Sequence, residues 1–317
     1  MNTKIVDCTL RDGGLVNNFF FEDDFVRHLY EANKKSGIDY MEFGYKASKE
    51  LFSKKDFGKW KFCEEEDIRS VVGSNEGSMK ISIMVDVGRC NYCKDIIPRE
   101  KSVIDMIRIA SYVDTISEAI TMIEYCHNLG YETTINLMAI STVEINTLIR
   151  TLYELEKSPV DVIYLVDSYG ALYPKQIEKY VQLYLAHCTS QQKIGIHAHN
   201  NQQLAFANTL EAYQFGAKFL DVTISSLGRG AGNCPTELLL GAIKERKNIH
   251  SLSPILRFIE DYILPLKQQG IKWGYDVPYL LTGRYNQHPS AAIQFINEER
   301  TNYNTFSKLV RQSSKIS

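Results

Sequence analysis

A closed (β/α)8 barrel of the TIM type, with a C-terminal helical extension, is the fold this sequence predicts. Three observations point to it. Eight short apolar segments recur at spacings of roughly 25 to 40 residues, and stretches with helical periodicity lie between them. Parallel strands need crossover connections, and helices supply them. No phosphate-cradling glycine motif follows the first strand, as an open dinucleotide-binding sheet would want. Eight such units in about 240 residues suit a closed barrel better than an open sheet.

The predicted strands are 4–8, 40–45, 80–87, 106–110, 133–139, 162–167, 193–199 and 219–225. The first helical pattern, 21–37, opens on acidic residues and stops at Gly37, as dipole and C-cap chemistry favour. Further patterns cover 117–130, 142–158, 173–188 and 201–216. Residues 1–243 therefore read as the barrel. Residues 244–317 hold two more apolar helical patterns with Tyr- and Pro-rich connections, and read as an extension packed on it.

Composition narrows the function. The 317 residues include 38 acidic and 36 basic side chains, a net charge of −2, so no basic excess recruits nucleic acid. No run of about 18 apolar residues is present to span a membrane. The N-terminus turns polar within a few residues and lacks the apolar core of a signal peptide. Seven scattered cysteines fit a reduced cytoplasm, and the lone Cys90/Cys93 pair reads as free thiols.

In such a barrel chemistry gathers where strands end, at the C-terminal face. His197 and His199 stand two apart at the end of the seventh strand, so both rings point the same way. Asp12, just past the adjacent first strand, completes a two-histidine, one-carboxylate set, and Asn233 adds a hard oxygen. That donor set suits Mn2+, Mg2+, Zn2+ or Fe2+. Arg11 beside it can stabilise an enolate oxygen. Gly13 and Gly14 are expected to turn the backbone sharply and leave room for a ligand. The strand residues Arg108, Asn136 and Asp167 are candidates for orienting substrate. His28, His127, His187 and His250 read as structural.

The strings DCTLRDGG (7–14), Glu42, HAHNN (197–201) and GAGNCPTE (230–237) together resemble the DRE-TIM metallolyase superfamily over residues 4–240. The cadence of 197–217 and 228–233 is nearest to its 4-hydroxy-2-oxovalerate aldolase branch. The resemblance implies a metal-dependent aldol or Claisen reaction. It assigns Asp12, His197, His199 and Asn233 to a divalent metal, Mn2+ or Mg2+ before Zn2+. It makes Arg11 the enolate stabiliser, Glu42 an active-site glutamate and Tyr285 the counterpart of a branch tyrosine. Substrates would be a 2-oxo acid, such as a pyruvate donor, and an aldehyde. Oligomers of identical chains, and an aldehyde dehydrogenase partner, are also implied.

One departure stands out. Where the branch carries a catalytic histidine, this chain has Leu15, which cannot move a proton. His288, Tyr285 or Glu42 could replace it. Three other readings compete with the aldolase: an acyl-CoA Claisen synthase or lyase, an iron oxygenase, and a catalytically reduced barrel acting as a binding subunit. The lysine-rich loop after the second strand (Lys46, Lys54, Lys55, Lys59, Lys61) is either a solvated face or a lid over an anionic substrate.

Overall fold

The computed structural model describes residues 3–75, 77–243 and 251–314. Eight parallel strands close in sequence order, β1 pairing with both β2 and β8. They are β1 (Lys4–Asp7), β2 (Tyr40–Tyr45), β3 (Lys80–Asp86), β4 (Met106–Ser111), β5 (Glu132–Leu137), β6 (Val162–Asp167), β7 (Lys193–Ala198) and β8 (Phe219–Val222). β8 stops three residues short of its predicted end, because Ile224–Ser226 turns into a 3-10 helix.

Alternation along each strand sorts the residues into two cores. On β1 and β6, Val6, Cys8, Val162, Tyr164 and Val166 point into the barrel, where they pack with Tyr40, Met106 and Phe219. Their neighbours Ile5, Ile163 and Leu165 point out, into the layer shared with the surrounding helices. The five helical patterns within the barrel appear as Asp23–Lys35, Ile116–Asn128, Ile145–Glu156, Pro174–Ala186 and Ala205–Gln214.

The segment expected to turn sharply after β1 is a helix, Thr9–Asn17. Gly13 and Gly14 lie inside it, and what they provide is closeness. A Cβ on Gly13 would fall 2.8 Å from Leu227, and one on Gly14 would fall 2.1 Å from the Phe19 ring. The helix thus packs tightly on the neighbouring loops, which sets Arg11 and Asp12 at the mouth.

The C-terminal part does two separate jobs. Helix Ser253–Phe258 and the π-helical turn after it lie against Asp23–Lys35, with Phe258 and Tyr262 on Phe25. Helices Val277–Arg284, Ser290–Asn297 and Tyr303–Ser313 share a cluster of their own with Ala231. They lean on the mouth loops: the Asn201 amide donates to the Tyr279 carbonyl, and Asn286 pairs with Ser141. The proposed division at 243/244, and His250, lie outside the described residues. Among the described residues no helix is long and apolar enough to cross a membrane.

Candidate active site at the mouth of the barrel

Six buried side chains at the C-terminal end form a closed ring in which basic and acidic groups alternate. Arg11 Nε donates to Glu42 (2.7 Å), and the same carboxylate oxygen lies 3.0 Å from Arg108 Nη1. Arg108 Nη2 donates to Asp221 (2.6 Å), which meets His197 Nδ1 at 2.9 Å. His197 Nε2 lies 3.3 Å from Asp12, and Arg11 Nη1 closes the ring on Asp12 at 2.6 Å. None of the six is more than 4% exposed. They come from β2, β4, β7, β8 and the helix after β1, so barrel closure and the packing of that helix bring them together.

The ring sets protonation states. Burial pushes the Asp12 carboxyl up, yet Arg11 and the two histidines hold it well below the ordinary range. Asp221 is kept near 2 by Arg108 and His197 against the same burial. Burial, with Arg229 nearby, drives His199 well below its usual value, so it is neutral. An ionised carboxylate and a neutral imidazole are the forms that bind a metal.

Two trios could hold an ion by proximity: Asp12, His197 and His199, or Cys8, His197 and Asp221. Electrostatics separates them. Asp221 is occupied by Arg108, and burial pushes the Cys8 thiol well up, so it stays protonated. Asp12, His197 and His199 face the cavity. Asn233 is 1% exposed, and neither atom of its amide has a partner. It is brought beside His199 by a backbone bridge, and glycine at 228 leaves room for it, since a Cβ there would sit 2.2 Å from its Nδ2. An orphaned amide beside an ionised aspartate and two imidazoles fits a divalent cation. Burial lowers the His197 pKa, but its hydrogen bonds to Asp12 and Asp221 raise it overall; with Nδ1 held by Asp221, a cation would take the place of the Nε2 proton, the carboxylate–histidine arrangement common behind metal ligands.

The predicted site residues divide accordingly. Arg11, Asp12, His197 and His199 line one cavity, Asn233 adjoins them, and His288 reaches the same cavity from the C-terminal segment. Glu42 does not line the cavity. It is fully buried behind Arg11 and orients it, a positioning residue where a catalytic one was expected. Tyr285 is half-buried against the C-terminal cluster instead, because the preceding helix ends there and turns it toward Tyr279 and its neighbours. Of the other candidates, Asn136 lines the cavity, Arg108 belongs to the ring, and Asp167 accepts from the Ala171 and Leu172 amides.

The lysine-rich loop is largely self-neutralised: Lys46 pairs with Glu64 and Lys59 with Asp23, while Lys61 is buried among the rings of Tyr45 and Phe52. Two further candidate residues that the structure brings to the site escaped the sequence. Asp221 was legible as a charge at an inward position of the otherwise apolar FLDV strand. Arg229 gave no signal, since one arginine in a glycine-rich loop reads as solvated.

The cavity holds about 80 Å3, and its outer wall is Leu15, Met84, Met138, Tyr112 and Tyr169, with Arg229 and His288 at its edge. Ser290 N–H donates to His288 Nδ1 (3.1 Å), and burial with Arg229 lowers the ring's pKa to about 4. His288 is therefore neutral near pH 7 and a weak base.

The HMGL-like family profile matches residues 2–257. An oxaloacetate decarboxylase of Mycobacterium tuberculosis is 28% identical over 77% of this chain and 71% of its own length. A 4-hydroxy-2-oxovalerate aldolase of Brevibacillus brevis is 30% identical over 83% and 77%. Among solved structures, the N-terminal domain of a candidate aldolase from Bacteroides vulgatus superposes with a TM-score of 0.78 at 28% identity, covering 92% of this chain and 96% of that one. The Bacillus subtilis HMG-CoA lyase shares the fold, with a TM-score of 0.61 at 17% identity over 86% and 95%.

Proposed function

The chain belongs to the HMGL-like family, and we propose that it is a divalent-cation-dependent carbon–carbon lyase that cleaves a 4-hydroxy-2-oxo acid to pyruvate and an aldehyde. One arrangement carries the reading: Asp12, His197 and His199 clustered with the unpartnered Asn233 amide, next to the Arg11 guanidinium. A divalent cation held by these residues, Mn2+ or Mg2+ in this reading, supplies stabilisation for an oxygen that turns negative. The names of the aldolase relatives support the substrate class.

The chain's own groups then divide the work. Glu42 and Asp12 take one N–H each from Arg11, and its remaining donors face the cavity. As the C3–C4 bond breaks, its electron pair becomes the pyruvate enolate, whose developing charge Arg11 offsets. C4 keeps its oxygen and leaves as the aldehyde. The C4 hydroxyl gives up its proton, and C3 gains one to complete pyruvate. The apolar side chains of Leu15, Met84 and Met138 thin the water around the enolate.

A second reading is favoured by Leu15. The cavity wall holds an alkyl group where, by the resemblance, the aldolase branch carries its catalytic histidine. Decarboxylation of a 2-oxo acid with a C4 carboxylate releases CO2 and the same enolate, with no hydroxyl proton to remove. The decarboxylase relative supports it.

The test is a coupled pyruvate assay on cation-loaded protein, without coenzyme A, across 4-hydroxy-2-oxo acids and oxaloacetate. Pyruvate release should vanish with chelator and return with cation. Arg11→Ala should keep the cation and lose turnover by about a hundredfold, or ~3 kcal/mol of barrier. Near-normal turnover in that variant removes Arg11 from the mechanism. Cation binding without pyruvate from any of these acids would leave the chain a binding subunit.

A further inference from the structure

Two guanidinium groups flank the ligand cluster, and they are treated very differently. Arg11 leans toward β2, where Glu42 and Asp12 neutralise it. Arg229, from the loop after β8, leans the other way, toward β6 and the C-terminal segment. Its Nη2 donates to the Ser168 carbonyl (2.8 Å) and lies 3.4 Å from His199 Nε2. Its Nη1 lies 3.1 Å from His288 Nε2. Among the described residues no carboxylate pairs with this guanidinium, and its Nε is buried without a partner.

His288 sharpens the picture. Ser290 N–H is aimed at its Nδ1 and Arg229 Nη1–H at its Nε2. A neutral imidazole accepts at only one ring nitrogen, so one donor at this cavity edge is left unmatched among the described residues. Converging donors of this kind are satisfied by an anion, and a guanidinium suits a carboxylate in particular. The need grows once a divalent cation sits beside His199, because a second positive charge then lies close to Arg229.

We propose that Arg229 and His288 bind a second carboxylate of the substrate, so that the acid cleaved is a 2-oxo dicarboxylate whose far carboxylate leaves on the aldehyde fragment. The inference rests on the reading of the site as a 2-oxo acid lyase and specifies its substrate. The 2-oxo acid end belongs with Arg11, on the β1–β2 flank of the ligand cluster. Arg229 stands on the opposite flank of the same cluster, beside His199 and Ser168, where the departing fragment would lie. The small cavity favours a carboxylate over a bulkier anionic group. The aldehyde released is then itself an acid, and the reaction that consumes it must act on a short oxo acid.

The experiment compares two acids of equal length, 4-hydroxy-2-oxoglutarate and 4-hydroxy-2-oxopentanoate, by pyruvate release. In parallel, calorimetry with Mn2+-loaded protein measures binding of the unreactive pair 2-oxoglutarate and 2-oxopentanoate. The wild-type chain should favour each diacid at least tenfold, the kinetic preference appearing in KM. Arg229→Gln should bring both ratios close to one, and Arg229→Lys should restore part of them. Equal handling of diacid and monoacid by the wild type, a preference that survives in Arg229→Gln, or no binding of 2-oxoglutarate overturns the proposal. A binding preference abolished by Arg229→Gln, with no cleavage of either hydroxy acid, upholds the anion site and removes the lyase reading instead. Pyruvate released equally from both acids does the reverse.

Discussion

The inner side of the barrel mouth and its outer wall are made of opposite material. The inner side is the ring of Arg11, Glu42, Arg108, Asp221, His197 and Asp12, contributed mostly by strands and at most 4% exposed. Each carboxylate there sits between two cationic or imidazole partners. The outer wall, with Leu15, Met138, Tyr112, Tyr169, Arg229 and His288, comes mainly from loops and the C-terminal segment, and its one guanidinium lacks a carboxylate partner among the described residues. The difference separates two tasks. A fixed set of charges can stabilise an enolate without reorganising, and that half of the reaction is shared by aldol cleavage and decarboxylation. In the proposed reaction the fragment cleaved off would meet the loop-built wall, where substitutions would cost little stability and change the substrate.

The largest effect should come from opening the ring. Asp221→Ala leaves Arg108 and the His197 Nδ1–H unmatched in the interior. It should cost about 3–5 kcal/mol of stability in denaturant unfolding. Cation affinity should fall by about 10- to 100-fold in titration, because His197 loses the partner that orients it. Wild-type values for both would mean that the six groups do not act as a unit.

A gain of function would sharpen the contrast from the other side. Leu15→His places a proton acceptor in the outer wall and leaves the ring untouched. Release of pyruvate from 4-hydroxy-2-oxo acids should rise about tenfold or more, with oxaloacetate decarboxylation little changed. A parallel rise for both acids would mean the imidazole acts on something other than the hydroxyl proton.

The last effect appears only in the pH dependence of stability and concerns a buried carboxylate with no cationic partner among the described residues. Asp7, on β1, accepts from Thr9 N–H and Oγ–H, and burial raises its pKa from 3.8 to about 7. Asp12 and Asp221, equally buried, are held low by the ring. The folded state therefore binds the Asp7 proton more tightly than the unfolded chain does. That contribution to stability is complete below about pH 4 and is lost as pH rises through 7. Asp7→Asn should remove this slope, so its unfolding free energy should gain on the wild type between pH 4 and 7. Parallel pH profiles would show that burial alone does not set Asp7 apart from the ring.

Much of the barrel was legible because strands buried on both faces read as continuous apolar runs, as at 80–87 and 162–167. The metal-ligand candidates were legible because His197 and His199 keep the two-residue period and Asp12 and Asn233 fall at neighbouring strand ends. The helix Thr9–Asn17 was not, since a pair of glycines reads as a turn and only packing against Leu227 and Phe19 makes it helical. The place of Tyr285 against the C-terminal cluster was not legible, because a motif match says nothing about which way a helix end turns its side chain. Glu42 was singled out from the sequence as an active-site glutamate; that it also meets Arg108, 66 positions further along, emerges only in the fold.

The order of strands, the face each inward residue occupies and the donor types gathered at the strand ends were determined by the sequence itself, because alternation and apolar periodicity are local properties of the chain. Which carboxylates are ionised, which histidine is free to ligate and which guanidinium lacks a counter-charge were decided only by the folded barrel. Those properties arise from burial and from charges that meet across the closed sheet, and neither exists until distant strands are brought within a few ångströms of one another.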